Sequence, residues 1–162
     1  MSATSPLSIA FVMDPIAQID IRADTTFVLM LEAQRRGHRV LYVDPGDLGV
    51  DAGRVTARVR PVTLRREPGR HVDLHDALSL LLDDDVDLVL QRKDPPVDAG
   101  YVIATQILAL CRRALVLNRP SGILAANEKL YALHFADLMP ETRVTRSIPD
   151  LVDFLAKLGG EM

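Results

Sequence analysis

The stretch from Leu7 to Val43 constrains the fold more than any other part of the chain. Leu7-Ser8-Ile9-Ala10-Phe11-Val12-Met13 is an almost uninterrupted apolar run, the signature of a strand covered on both faces. Asp24 then offers an N-cap, Phe27, Met30 and Leu31 fall at helical spacing, and Gly37 supplies a left-handed stop after Arg35 and Arg36. His38 to Val43 reads as a second strand, closed by the turn residues Asp44-Pro45-Gly46-Asp47. Strand, loop, helix and strand in this order open a parallel α/β sheet.

The pattern changes after that. Val55, Ala57 and Val59 alternate with Thr56, Arg58 and Arg60 behind an Asp51-Ala52-Gly53 turn, which predicts a half-solvated antiparallel hairpin over 50–64 and therefore a mixed sheet. Arg65 to Arg70 is a polar loop, and His71 to Leu82 is compatible with either helix or extended chain. The acidic run Asp83-Asp84-Asp85 caps the turn into a strand over 87–90. Asp98 can cap a helix running to about Cys111 that carries no charge until Arg112 and Arg113, so it is expected to be buried nearly all round, in the core or at a subunit interface. Leu115 to Leu117 reads as a strand, Asn127 to about Ala136 as a helix and Arg143 to Thr145 as a strand. Ser147-Ile148-Pro149-Asp150 is a capping box that opens an amphipathic helix over Leu151, Val152, Phe154, Leu155 and Leu158, stopped by Gly159-Gly160. Asn118 to Ala126, rich in small residues, is the best candidate linker.

Composition narrows the function classes. With 48% hydrophobic and 25% charged residues the chain is an ordinary globular protein. A net charge of −3 supplies no basic field for nucleic acid or anionic membrane. The N-terminus lacks a basic segment followed by an apolar one, and no apolar run reaches the ~18 residues of a membrane span. A cytoplasmic location is expected. The single cysteine, Cys111, sits in an apolar stretch and reads as a buried, inert thiol.

Polar residues gather where strands end, which is where open α/β sheets place ligands. Arg92-Lys93-Asp94-Pro95-Pro96 follows the strand over 87–90. A guanidinium grips a carboxylate, an ammonium adds a point charge and a carboxylate accepts from an α-amino group, so Arg92, Lys93 and Asp94 suit a zwitterionic ligand. The plainer alternative is a solvated turn stiffened by its prolines. Asp14-Pro15 follows the first strand, and with Thr25 and Thr26 at the opening of a helix it can hold a ligand carboxylate or phosphate. For Asp24 simple N-capping is the alternative. The loop from Asp14 to Ala23 is long for its place. Lys129 lies in the first turn of an expected helix, where a cation opposes the dipole and calls for an anion, unless it pairs with Glu128 or another surface acid. His71 and His75 are four apart but lack a third ligand, so no metal is assigned to them, and His38 and His134 stand alone.

Six blocks in order, V-M-D-P-I, D-x-x-F-x-x-x-L-E-A-Q-R-R-G, R-K-D-P-P, N-x-P, N-E-K-L and M-P-E-T-x-V-T-R, cover nearly the whole chain. In their content and order the chain resembles the N-terminal part of prokaryotic glutathione synthetase, an ATP-grasp ligase. The resemblance implies a Rossmann-like pre-ATP-grasp substrate domain with a mixed, mainly parallel sheet over 1–122 and the start of an ATP-grasp domain over 123–162. It implies the ATP- and Mg-dependent joining of γ-glutamylcysteine and glycine through an acyl phosphate. It also implies a homo-oligomer, with Asp14, Thr25, Thr26, Arg92, Lys93 and Asp94 toward substrate and Lys129 toward nucleotide phosphate. The family continues with a second phosphate-binding lysine, a glycine-rich loop and metal ligands that these residues do not include. The chain is therefore read as a fragment that alone makes no glutathione. The alternative is a non-catalytic ligand-binding or dimerisation module.

Overall fold

The computed structural model describes residues 5–126 and 130–160. β1 (Ser8–Val12) lies at the middle of a sheet between β2 (Arg39–Val43) and β7 (Leu88–Gln91), parallel to both. The intervening strands β3 (Leu48–Asp51), β4 (Arg54–Leu64), β5 (Val72–Leu74) and β6 (Leu78–Leu81) form an antiparallel wing built on β4, and β8 (Leu115–Leu117) runs parallel beside β7. The main path is β3-β4-β2-β1-β7-β8, with β5 and β6 paired to β4. The chain is thus α/β with a mixed sheet, as the change of pattern after Val43 predicts. The expected hairpin is present with Val50 opposite Val55, and the ambiguous stretch from His71 to Leu82 supplies β5 and β6.

The period of two along β1 sends alternate side chains into two cores. Ala10 and Val12 join Leu41, Val43 and Leu108 on one face, while Ile9, Phe11 and Met13 join Ile16, Phe27 and Met30 on the other. Both faces are covered, which is why the sequence there is continuously apolar. α1 (Thr25–Arg35) covers the second face, burying Thr26, Phe27, Met30 and Ala33. Asp24 caps it by accepting the Phe27 N–H at 2.6 Å. At the other end the N–H groups of Gly37 and His38 return to Gln34 and Ala33, with Gly37 at φ 81°, a Schellman stop that requires glycine.

α2 (Leu82–Asp85) is one turn, formed where the acidic run stands before β7. α3 (Ala99–Leu108), capped by Asp98, covers the first face. Within the chain it is not buried all round, as a core helix would be: only Ala104, Thr105 and Leu108 are buried, and Ile103 is 55% exposed. Absence of charge removes the cost of burial without providing a partner to bury against. α4 (Pro120–Ala125) occupies most of the stretch read as a linker.

The chain divides into two compact units, 1–125 and 126–162. In the second, the described part of the helix expected over Asn127 to Ala136 is instead short 3-10 turns over Leu130–Leu138, broken at Phe135. No ladder forms over Arg143 to Thr145, so the strand expected there is absent among the described residues. α5 (Ile148–Lys157) begins at Ser147 as the sequence predicts. Its cap is a variant of the box: the Asp150 N–H donates to Ser147 Oγ at 3.4 Å, while Asp150 itself accepts from Thr145 Oγ1 at 3.2 Å.

Candidate functional site

Strand order reverses between β1 and β7, since the chain leaves β1 toward β2 by way of α1 and leaves β7 toward β8 by way of α3, on opposite faces. The carboxyl ends of two such strands diverge into a crevice, the general ligand position of open α/β sheets. A cleft of about 620 Å³ lies here, bounded by the loop after β1, the first turn of α1 and the turn after β7.

The turn is fixed to β1 by its backbone. The Arg92 N–H donates to the Val12 carbonyl at 2.7 Å, and the Asp94 N–H to Asp14 Oδ2 at 2.9 Å. Lys93 Nζ lies 2.9 Å from Asp14 Oδ1 and donates to the Asp94 carbonyl at 2.7 Å. Burial pushes the Asp14 carboxyl up, but the Lys93 ammonium and the Asp94 N–H outweigh it and hold the group below the ordinary carboxylate range. Arg92 crosses to the helix: Nε donates to Thr26 Oγ1 at 3.0 Å and Nη2 to Thr25 Oγ1 at 2.9 Å. The six residues Asp14, Thr25, Thr26, Arg92, Lys93 and Asp94, drawn from three separate stretches, therefore meet at one place. Lys129 lies outside the described residues.

Asp24 is committed to its cap, and Asp20 to Arg22, whose guanidinium lowers the Asp20 carboxyl to about 2. Asp14 is committed to Lys93. Among the described residues, Arg92 Nη1 and the Asp94 carboxylate have no hydrogen-bond partner, and both residues line the cleft. One open cationic donor and one open carboxylate face a cavity of small-molecule size.

Gln18, Ile19 and Asp20 also line the cleft and were not singled out in the sequence. The length of the loop that carries them was the available signal. His71 and His75 do not face one another's ligands. His71 Nε2 lies 2.7 Å from the Ile16 carbonyl, whereas His75 Nε2 lies 2.8 Å from Thr63 Oγ1. The Cys111 thiol, half-buried, is pushed up to about 11 by burial and by Asp83, as suits an unreactive side chain.

Residues 7–123 match the family described as the prokaryotic glutathione synthetase N-terminal domain. The chain belongs to that family. Proteins named glutathione synthetase are similar over nearly its whole length: that of Xanthomonas campestris pv. campestris is 45% identical over 155 residues, which is 94% of this chain and 49% of the relative. The glutathione synthetase of Gloeobacter violaceus is 43% identical over 92% of this chain and 48% of its own length, and that of Salmonella typhimurium 39% identical over 94% and 49%. The chain spans about half the length of these relatives. The cleft lies within the residues that match the family. No described helix is long and apolar enough to cross a membrane.

Proposed function

We propose that this chain supplies the peptide-binding side of an ATP-dependent ligase that joins γ-glutamylcysteine to glycine. A γ-glutamyl linkage leaves an α-carboxylate and an α-ammonium on one carbon. The pair of open groups in the cleft, Arg92 Nη1 and the Asp94 carboxylate, is complementary to that zwitterion, and this is the observation that carries the reading. Thr25 and Thr26 each accept from the guanidinium, and the Asp14–Lys93 pair holds the Asp94 backbone, so the two open groups are pre-oriented.

In the proposed reaction ATP, with Mg, phosphorylates the C-terminal, cysteinyl carboxylate of the peptide, and the glycine amine displaces the phosphate. The described residues contain no group of three or more His, Cys, Asp or Glu suited to a metal. The part assigned to this chain's described residues is to bind and orient the peptide, and Lys129 is the residue proposed to meet nucleotide phosphate.

Titrating γ-glutamylcysteine, glycine and ATP separately into the 162-residue chain tests this. Saturable heat with γ-glutamylcysteine is expected, weakened about tenfold or more by Arg92→Ala. Absence of any heat with the dipeptide would sink the proposal. No ADP release is expected from the chain alone with all three substrates present. A second reading, as an association module, is favoured by the apolar side chains left open on α3 and β8, with Ile103 55% and Leu115 58% exposed. Sedimentation of a pure monomer at high concentration would count against it.

A further inference from the structure

We infer that His71, which does not line the cleft, is a positioning residue for it: the buried ring holds the loop after β1 in the shape that forms the cleft wall. This rests on the reading of the cleft as a substrate site.

His71 is 5% exposed, and its ring touches both ends of the segment that makes the wall. At the start, Nε2 lies 2.7 Å from the Ile16 carbonyl. A carbonyl only accepts, so that ring nitrogen carries the proton and donates. At the finish, the ring packs edge-on to Phe27, with centroids 5.8 Å apart and planes at 84°. Phe27 is the residue whose N–H the Asp24 cap accepts, and Thr25 and Thr26 directly before it receive Arg92. Between these anchors Gln18, Ile19, Asp20 and Ala23 line the cavity. The loop's own backbone bonds are local, Gln18 N–H to the Pro15 carbonyl and the Ala23 and Asp24 N–H groups to the Asp20 carbonyl; Ile16, Ile19 and Ile21 pack against the core, and His71 adds a directed bond from outside the loop.

That support is rigid. The backbone of His71 accepts from the Arg65 N–H at 3.0 Å, at the mouth of the β4–β5 pair where Leu64 faces Val72. The same hairpin grips the far end of α1, where Gln34 exchanges two bonds with the Leu64 backbone, at 2.9 Å and 2.7 Å. The antiparallel wing thus clasps α1 at both ends, and the His71 clasp also bonds the loop.

The test separates donor from packing. His71→Phe keeps an aromatic ring beside Phe27 and removes the donor. His71→Gln keeps an N–H at nearly the same reach. Hydrogen exchange of the whole chain is measured by peptide mass spectrometry, with γ-glutamylcysteine binding by calorimetry. His71→Phe is expected to speed exchange over residues 15–24 by about tenfold or more while β1 and β2 exchange as before, and His71→Gln to restore most of the protection. Affinity for the dipeptide should fall and recover in parallel. Gln34→Leu, which cuts the other clasp, should lower the melting temperature without speeding exchange over 15–24. Unchanged exchange over 15–24 in His71→Phe, or an equal change in Gln34→Leu, would overturn the assignment. Loss of loop protection without any binding by the native chain would leave His71 as the loop's support but refute its role in a substrate site, and would refute the proposed function with it.

Discussion

Phe27 in α1 and Val152 in α5 are both apolar side chains in the first half of a capped helix, yet Phe27 is 0% exposed and Val152 is 58% exposed. Both helices begin with a side-chain cap, Asp24 in one and Ser147 in the other, and both end in glycine at positive φ. What separates them is the presence of a sheet. In residues 1–125 two apolar clusters form on opposite faces of the strands, whereas none of the described residues from 130 to 160 is buried. Ile148, at 73%, and Leu151, at 43%, lie open along α5 with Val152. Local signals fix where a helix starts and stops, but its contribution to stability comes from the face it packs against.

The largest expected effect breaks or keeps that contrast directly. Phe27→Ala empties a fully enclosed site and should cost about 3–5 kcal/mol in urea unfolding. Val152→Ala, at the exposed face of α5, should change stability by no more than about 0.5 kcal/mol. Similar costs for the two would show that α5 is packed in solution, and the distinction between the units would collapse.

The same contrast explains how much the sequence could tell. β1, α1 and β2 were legible because each carries its own local mark: a doubly covered apolar run, a cap at Asp24 and a Schellman glycine at Gly37. β5 and β6 were not, because they exist through pairing with β4, and residues such as Leu78 and Ser79 show no periodicity that announces it. α3 was legible in part, since its uncharged composition does not say which face the chain itself covers, and Ile103 stays exposed within the chain. At the cleft, Asp14, Arg92 and Asp94 could be singled out as polar residues behind strands. Their mutual bonds depend on β1 and β7 being neighbours. His71 was legible only as half of a metal-like spacing, because its partner Ile16 is 55 residues away.

A second prediction concerns β8, the edge strand of the first unit. Asp83 Oδ1 accepts the N–H groups of Arg112, Arg113 and Ala114 at 2.9, 2.9 and 3.0 Å, which delivers the chain to β8 in register with β7. Asp83→Ala should cost about 1.5 kcal/mol, the lower end for bonds to a charged acceptor because the carboxylate is partly exposed. Burial raises the Asp83 carboxyl, but the three backbone donors outweigh it and the net displacement is downward. A carboxyl lowered in the folded state stabilises above its unfolded value near 3.8 and loses that contribution as pH falls through the folded value. The native chain should therefore lose stability more steeply below about pH 4 than Asp83→Ala, and parallel pH profiles would show that the three bonds contribute nothing.

The smallest effect is the most discriminating, because it imposes the same local change on both units. α1 and α5 end in the same motif: Gly37 at φ 81° with its N–H on Gln34, and Gly159 at φ 83° with its N–H on Ala156, each followed by a bond back to the residue before, His38 to Ala33 and Gly160 to Leu155. A Cβ would meet nothing within 4 Å at either glycine, so alanine adds only backbone strain, about 1 kcal/mol in each case. In Gly37→Ala that strain is transmitted, because Met30 and Ala33 of the strained helix are buried against the sheet. Global unfolding should register nearly the whole cost. In Gly159→Ala the last turn of α5 can fray and release the strain, since no buried residue holds it. The urea midpoint of the main transition should then stay where it is, while exchange quickens over residues 155–160. Equal shifts of the midpoint would mean that the two units unfold together, and the exposed face of α5 would have to be covered in solution.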